Sequence, residues 1–429
     1  MKESDHSKQQ PSISTLKKMT QKQRQQYLNN SLRKLVSFAY NAAPTIRLRL
    51  DNAGIDPGKV HTIDDLQNLP VLRKDDLVGL FQNYPPFGGL ITMPASEIER
   101  IYVSPGPIYD PHHNSKRYWR RHAQLMKDLG FRKGDIVSNA WSYHLVPAGL
   151  MVDESLRRTG VTVVPMGTGN TELQVQVMHN LKVTGFFGAA SFFMNIVNKA
   201  EEMNYDIRRD FNLRLACIGG EMGGGPIRKL VEEKYSITTT DVYGTADVGL
   251  MAYECSQKNG LHIAEDVIIE IVDPATGKAV TGDDMGELVI TPIDESYPLL
   301  RFGTGDLVSW IRKPCPCGST SLHITRILGR IGDAIRTRGM FIHPKQLEPA
   351  LAKFPEITKY QGIITRQGYR DQFTLKVELK QEGIEKEQLS QKLIETVTAA
   401  VRIKLDKVDY VATGAIPEGH KVLADERVY

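Results

Sequence analysis

Four side chains with metal-ligand chemistry sit in two short stretches. Cys255 and His262 flank an expected turn, and Cys315 and Cys317 lie in Pro314-Cys315-Pro316-Cys317-Gly318. Three thiolates and one imidazole make a closed tetrahedral set of the structural-zinc type. The spacing is not that of a standard zinc finger, so four unrelated groups is the alternative, and His323 is a competing imidazole. Cys217 stands in an apolar stretch and reads as core. A second chemistry is carried by glycines among charges. Arg301-Phe302-Gly303-Thr304-Gly305-Asp306 is followed, after a short interval, by Gly329-Arg330-Ile331-Gly332-Asp333-Ala334-Ile335-Arg336-Thr337-Arg338-Gly339. Two further loops, Gly219-Gly220-Glu221 and Tyr243-Gly244-Thr245-Ala246-Asp247, combine glycine with polar groups. Glycine lets backbone approach a ligand closely. Trp141-Ser142-Tyr143-His144 could line a pocket for an aromatic acid, or could equally be core.

These residues need elements to hold them. Residues 1–15 are polar and expected to fray, and residues 16–40 read as a helix with Leu28, Leu32, Leu35 and Val36 on one face. From Tyr118 the period alternates. Helices are expected at 118–129, 154–158, 172–181, 192–203 and 227–234, and strands at 135–139, 161–164, 185–188, 213–218 and 238–242. That alternation predicts an α/β fold, a doubly wound, mostly parallel sheet covered on both faces, with ligands at the carboxyl ends of the strands. The two glycine loops fall at such ends, which is where a nucleotide is expected. From Val267 the pattern changes to strands with tight turns, 268–272 and 287–291, a β-rich subdomain. The last hundred residues read as a small α+β domain, with helices at 344–353 and 386–403 and strands at 361–364, 373–379 and 407–411. The expected division is 1–330 and 331–429.

With its elements in this order the chain resembles the phenylacetate-CoA ligase branch of the adenylate-forming enzymes, from roughly Leu28 to the C-terminus. The resemblance implies activation of a carboxylate with ATP, then acyl transfer to the thiol of coenzyme A, with a mobile C-terminal domain rotating between the steps. It implies that Asp306 grips the ribose hydroxyls, since a carboxylate accepts two hydrogen bonds at once, and that Arg330 contacts the nucleotide at the hinge. Tyr243 would stack on adenine. Gly219, Gly220, Glu221, Gly244 and Thr245 would border the nucleotide. Asp247 stands where the family has a glutamate ligand for Mg2+, one methylene shorter. Lys421, in Ile416-Pro417-Glu418-Gly419-His420-Lys421, resembles the lysine of the adenylation step, which stabilises charge on the carboxylate and α-phosphate. The acyl site would be bordered by Trp141, Tyr143, His144 and the Ala189–Phe193 segment. Some members carry a similar Cys, His and paired-Cys arrangement.

The chain departs from the family at the phosphate-gripping loop, where it has Tyr102-Val103-Ser104-Pro105-Gly106-Pro107-Ile108-Tyr109-Asp110-Pro111. Ser104 and Gly106 survive as the phosphate contacts. The threonines are gone, prolines remove backbone donors, and Asp110 adds negative charge. His112, His113 and Lys116 could supply positive charge in their place. At the hinge, Gly332 and Asp333 stand where the family tends to have two acids; glycine still permits a large rotation. Two alternatives to the coenzyme A ligase therefore stay open: an adenylating enzyme with another acyl acceptor, and a nucleotide- or acyl-binding homologue without ligase activity. The 429 residues carry 54 basic and 50 acidic side chains, net +4, without a basic run interleaved with aromatics, so nucleic acid is not the expected partner. No apolar run is long enough to span a membrane, and Met1–Gln10 lacks a signal-peptide core, so the cytoplasm is the expected location. The expected partner is a small carboxylic acid, with ATP, Mg2+, coenzyme A and a structural Zn2+ as cofactors; a homodimer is left open.

Overall fold

A computed structural model describes residues 13–104, 108–113, 115–221, 224–274, 276–280, 286–331, 335–338, 340–342, 344–381 and 385–428. Five short strands run parallel in the order Thr162–Val164, Ile136–Asn139, Gly185–Gly188, Leu215–Ile218 and Thr238–Thr240. Alternate side chains of a strand point to opposite faces. Phe186, Ala216 and Ile218 accordingly pack with Val175, Met194 and Val231. Phe187, Leu215 and Cys217 pack on the other side with Leu125, Val152 and Leu156. Helices Lys116–Asp128 and Ala148–Arg157 thus cover one face, and Thr171–Asn180, Ala190–Glu202 and Gly224–Tyr235 the other. This is the doubly covered sheet the alternation implied, with Cys217 fully buried in it.

The helix expected at 154–158 begins earlier, at Ala148. Its second residue is Gly149, where a Cβ would come within 2.5 Å of the Ser142 carbonyl. Only glycine lets the 141–143 loop lie on that turn. The single helix expected over 16–40 is two, Ile13–Lys17 and Gln21–Ala42. Thr20 interrupts them because its hydroxyl and the Gln23 side chain form a reciprocal cap.

The β-rich part is one sheet of eight strands. Seven run in the order Val267–Val272, Gly286–Pro292, Phe302–Ile311, His323–Arg330, Leu261–Ile263, Gly249–Glu254 and Val242–Thr245. The eighth, Leu72–Arg73, pairs in parallel with Phe302 and Gly303. It opens helix Lys74–Asn83, so an early segment of the chain is placed beside the strand that carries Asp306. The segment around Ser104 is a two-stranded hairpin, Arg100–Ser104 against Ile108–His112.

Residues from Ile335 to Leu423 form a separate apolar core. Four strands, Lys407–Val411, Arg370–Leu379, Ile357–Gln367 and Leu423–Asp425, pack with helices Pro344–Leu351 and Lys386–Val401. The strands expected at 361–364 and 373–379 lie within a longer hairpin, Ile357–Gln367 and Arg370–Leu379. Its turn carries Tyr369 onto the core beneath the parallel sheet.

Candidate active site

Asp306 and Arg330 face each other across neighbouring antiparallel strands. Arg330 Nε lies 2.9 Å from Asp306 Oδ1, and its Nη1 donates to the Thr304 carbonyl at 2.9 Å. Gly305 between them has φ +71°, and a Cβ there would crowd the Arg330 guanidinium at 3.2 Å. Tyr243 completes the group by donating its O–H to Asp306 Oδ2 at 2.6 Å. Burial, then the Asp306 charge, holds that hydroxyl well above the usual tyrosine range, so it stays a donor. Each carboxylate oxygen is anchored once, which leaves further acceptor capacity on both. The Tyr243 ring itself is buried.

The glycine loops lie at strand ends, as expected. Gly219 ends the strand Leu215–Ile218, and a Cβ there would overlap the Asp241 carboxylate. Gly220 has φ +77°. Glu221 turns away from open space: its oxygens accept from the backbone N–H and hydroxyl of Ser191, in the first turn of helix Ala190–Glu202. A carboxylate is favoured there by the helix dipole. Gly244 has no room for a side chain, since a Cβ would sit 2.7 Å from the Gly249 carbonyl. Thr245 accepts from the Val248 N–H at 3.3 Å.

Asp247 is nearly buried and lies 3.2 Å from the Lys74 ammonium. Asp110 is beside it. Its Oδ2 accepts the Ser104 hydroxyl at 2.5 Å, and burial first, then the neighbouring Asp247 charge, raise its carboxyl well above the usual aspartate range. Ser104, read as a phosphate contact, therefore points its hydroxyl inward. Gly106, read with it, and Gly332 and Asp333 of the hinge lie outside the described residues. Burial works against the Lys74 charge, but Asp247 and Asp110 outweigh it and raise the ammonium above its usual value. His112 does not supply the positive charge considered for it. Burial first, then Arg100, lower it to about 4, so it is neutral near pH 7. The reading of the sequence did not include Lys74, and nothing local marks it, because its partner is 173 residues away.

In the aromatic loop, the Tyr143 hydroxyl accepts from Asn139 Nδ2 at 2.7 Å and donates to Asp153 at 2.9 Å, so it is tied inward. Trp141 is half-buried against the main core, and His144 is exposed. Lys421 is exposed at the edge of the C-terminal unit, where its carbonyl accepts from Gln361 at 2.9 Å. It makes no described contact with Asp306, Arg330 or Asp247. The groups of that unit which act electrostatically on Glu221 are Arg366 and Asp371.

The ligand atoms of Cys255, His262, Cys315 and Cys317 all lie within 4.8 Å of one another. Two sulfurs about 2.3 Å from a tetrahedral zinc are about 3.8 Å apart, and Cys255 Sγ to Cys315 Sγ is 3.8 Å. Cys317 Sγ lies 3.4 Å from His262 Nε2, and His262 Nδ1 meets the Ser321 hydroxyl at 3.2 Å. A hydrogen bond at the second nitrogen is what orients a ligating imidazole. His323, the competing imidazole, packs edge-on against the His262 ring. The four ligands join the strand ends at 254 and 261 to the loop between the two strands that carry Asp306 and Arg330. They can hold a metal without an open position.

Residues 339–427 match the AMP-binding enzyme C-terminal domain. The chain is 31% identical over 379 residues to a phenylacetate-coenzyme A ligase of Thermus thermophilus, covering 85% of this chain and 84% of that one. Among solved structures, 2-hydroxyisobutyryl-CoA ligase in complex with 2-HIB-AMP and CoA in the thioesterification state superposes with a TM-score of 0.91. The identity is 25%, covering 99% of this chain and 95% of that chain. The same enzyme in the postadenylation state with 2-HIB-AMP, at the same identity and coverage, gives 0.71.

Proposed function

The chain belongs to the phenylacetate-coenzyme A ligase family, and on that premise we propose that its site joins a small-molecule carboxylic acid to coenzyme A through an acyl-adenylate. A carboxylate oxygen attacks the α-phosphorus of ATP as the bond to pyrophosphate breaks. The coenzyme A thiol, losing its proton, then attacks the acyl carbon, and AMP leaves. The observation that carries this reading is the Tyr243–Asp306–Arg330 group on the eight-stranded sheet, whose last strand ends at Arg330. Asp306 accepts the two ribose hydroxyls while Tyr243 and Arg330 hold its orientation. Gly219, Gly220, Gly244 and Thr245 form the floor beneath the nucleobase. Glu221 acts on that floor indirectly, by fixing the loop to Ser191.

The phosphate end differs from the family pattern, and Lys74 compensates. Its ammonium lies at the Asp247 carboxylate and close enough to Arg330 to sense its charge. It supplies positive charge that the 102–111 hairpin lacks. A Mg2+ arriving with ATP would be held by Asp247, a hard oxygen ligand, and would neutralise charge on the phosphates. The Cys255–His262–Cys315–Cys317 set takes a structural Zn2+ that fixes the loop of the ribose-binding hairpin. The hinge falls at 331, between the last strand of the large sheet and the separate C-terminal core, dividing the chain into 1–330 and 331–429. The higher similarity to a thioesterification-state structure supports reading this arrangement as the thioester-forming one. Lys421 then belongs to the other arrangement, where it serves adenylation.

The test is pyrophosphate exchange into ATP across a panel of carboxylic acids, with Mg2+, followed by addition of coenzyme A. Acid-dependent exchange and then a thioester are expected. Exchange without a thioester would move the reading to another acyl acceptor. No exchange from folded protein would move it to a binding protein, which the inward-turned Ser104 hydroxyl would then explain.

A further inference from the structure

The geometry of the Lys74–Asp247 pair goes beyond supplying positive charge. The ammonium straddles the carboxylate, 3.4 Å from Oδ1 and 3.2 Å from Oδ2. The Asp247 side chain is 2% exposed and that of Lys74 is 34% exposed. The lysine, not solvent, therefore meets both oxygens, and these are the oxygens a hard cation needs. A divalent cation fits Asp247 only when the ammonium has moved off.

The surroundings of Lys74 fix its backbone and leave its head free to move. It is the first residue of helix Lys74–Asn83. Arg73, just before it, is tied through its backbone and its side chain. Its N–H donates to Asp76 at 2.8 Å, and its guanidinium donates to Glu287 at 2.8 Å and to the Pro274 carbonyl at 2.9 Å. Leu72 and Arg73 also pair with Phe302 and Gly303. The ammonium sits at the end of a flexible four-carbon stem. Among the described residues its hydrogen bonds go to Asp247 alone. Of the other charges that act on it, Asp110 attracts and Arg330 repels.

The two half-reactions ask opposite things of Asp247. With ATP present, carboxylate and phosphates share a divalent cation. Once pyrophosphate has left with its cation, a bare Asp247 would repel the phosphate that remains. An ammonium that can return to Asp247 removes that repulsion. We propose that Lys74 and the divalent cation take turns on Asp247. The ammonium holds the carboxylate in the empty enzyme and during thioester formation, and yields it while ATP is bound. The inference rests on the ligase reading above.

The test measures metal binding apart from turnover. Mn2+ is titrated into nucleotide-free protein, with the free ion counted by electron paramagnetic resonance. Lys74→Met and Lys74→Gln should each bind Mn2+ about 10-fold or more tightly than wild type, because a cation beside the ligand has been removed. Asp247→Asn added to Lys74→Met should abolish the gain. A merely structural lysine would not give a gain of affinity on removal. In the second measurement, acyl-adenylate and coenzyme A are supplied without added divalent cation. Wild type should form thioester at its full rate. Lys74→Met should be about 10-fold slower, and added Mg2+ should restore it to within about threefold. The proposal is overturned if wild type binds Mn2+ as tightly as both variants, if the gain survives Asp247→Asn, or if Mg2+ does not restore the thioester step. Unchanged Mn2+ affinity in both variants would sink this inference and leave the ligase reading standing. No pyrophosphate exchange with any acid would sink that reading by itself.

Discussion

Asp306 has two anchors, and their chemistry makes its role separable from its contribution to the fold. Arg330 and Tyr243 hold one oxygen each, and both are donors. Asp306→Asn keeps the shape but replaces an oxygen with an NH2 and removes the charge. A charge-assisted hydrogen bond is worth about 1.5–3 kcal/mol, so AMP affinity measured by calorimetry should fall about 10- to 100-fold. An unchanged affinity would remove Asp306 from the ribose. Lys74→Met tests the opposite end of the nucleotide. It should lower acid-dependent pyrophosphate exchange about 100-fold, the scale of losing one donor to developing charge, with AMP affinity changed much less. Asp306 and Arg330 were legible in the sequence because glycines bracket them and their order along the chain is distinctive. Lys74 was not. It meets Asp247 only through the tertiary fold, and a lysine at a helix start carries no local mark.

At the scale of elements, a strand is legible when both its faces are apolar, as in Leu215–Ile218, which is buried throughout. The hairpin Arg100–His112 was not legible as strands. It contains Pro111 and is only two strands wide, and proline is tolerated where a strand has a free edge. The metal ligands lie on loops and strand ends that converge only when the sheet forms. Metal analysis of the purified protein should find about one zinc per chain, and Cys315→Ser should lose it, because three remaining ligands do not close a tetrahedral site. The same variant should weaken AMP binding, since the 312–322 loop joins the strands of Asp306 and Arg330. Retained zinc in Cys315→Ser would exclude this ligand set. The N-terminal helices offer a pH test. Glu265 lies near Arg24 and Lys17, with Asp128 adding repulsion, and burial outweighs the cations to raise its carboxyl to about 7. Between the ordinary glutamate value of 4.5 and about 7, the folded chain binds more protons than the unfolded one. Unfolding free energy from this group therefore falls as pH rises through that window. Denaturant unfolding at several pH values should show that decline, and Glu265→Gln should flatten it; an unaltered slope would assign the decline elsewhere.

For the whole molecule the decisive quantity is which face the C-terminal unit turns to the nucleotide. Here Arg402 donates to the Val103 carbonyl at 3.3 Å and Tyr369 packs on the core under the parallel sheet, while Lys421 is exposed. The sequence raises the expectation of a hinge just past Gly329 and Arg330, which close the last strand of the large sheet. It does not show which of two arrangements is lower in free energy, because that depends on a few contacts between surfaces distant in the chain. If Lys421 works only in the arrangement not seen here, the half-reactions must separate on mutation. Lys421→Ala should lower formation of acyl-adenylate about 100-fold or more, while thioester formation from supplied acyl-adenylate and coenzyme A stays within about threefold. Arg402→Ala should do the reverse, slowing thioester formation while leaving pyrophosphate exchange near wild type, because its bond to Val103 belongs to the present arrangement. Parallel losses in both half-reactions for both variants would mean that the unit does not alternate, and that one fixed placement carries out the whole reaction.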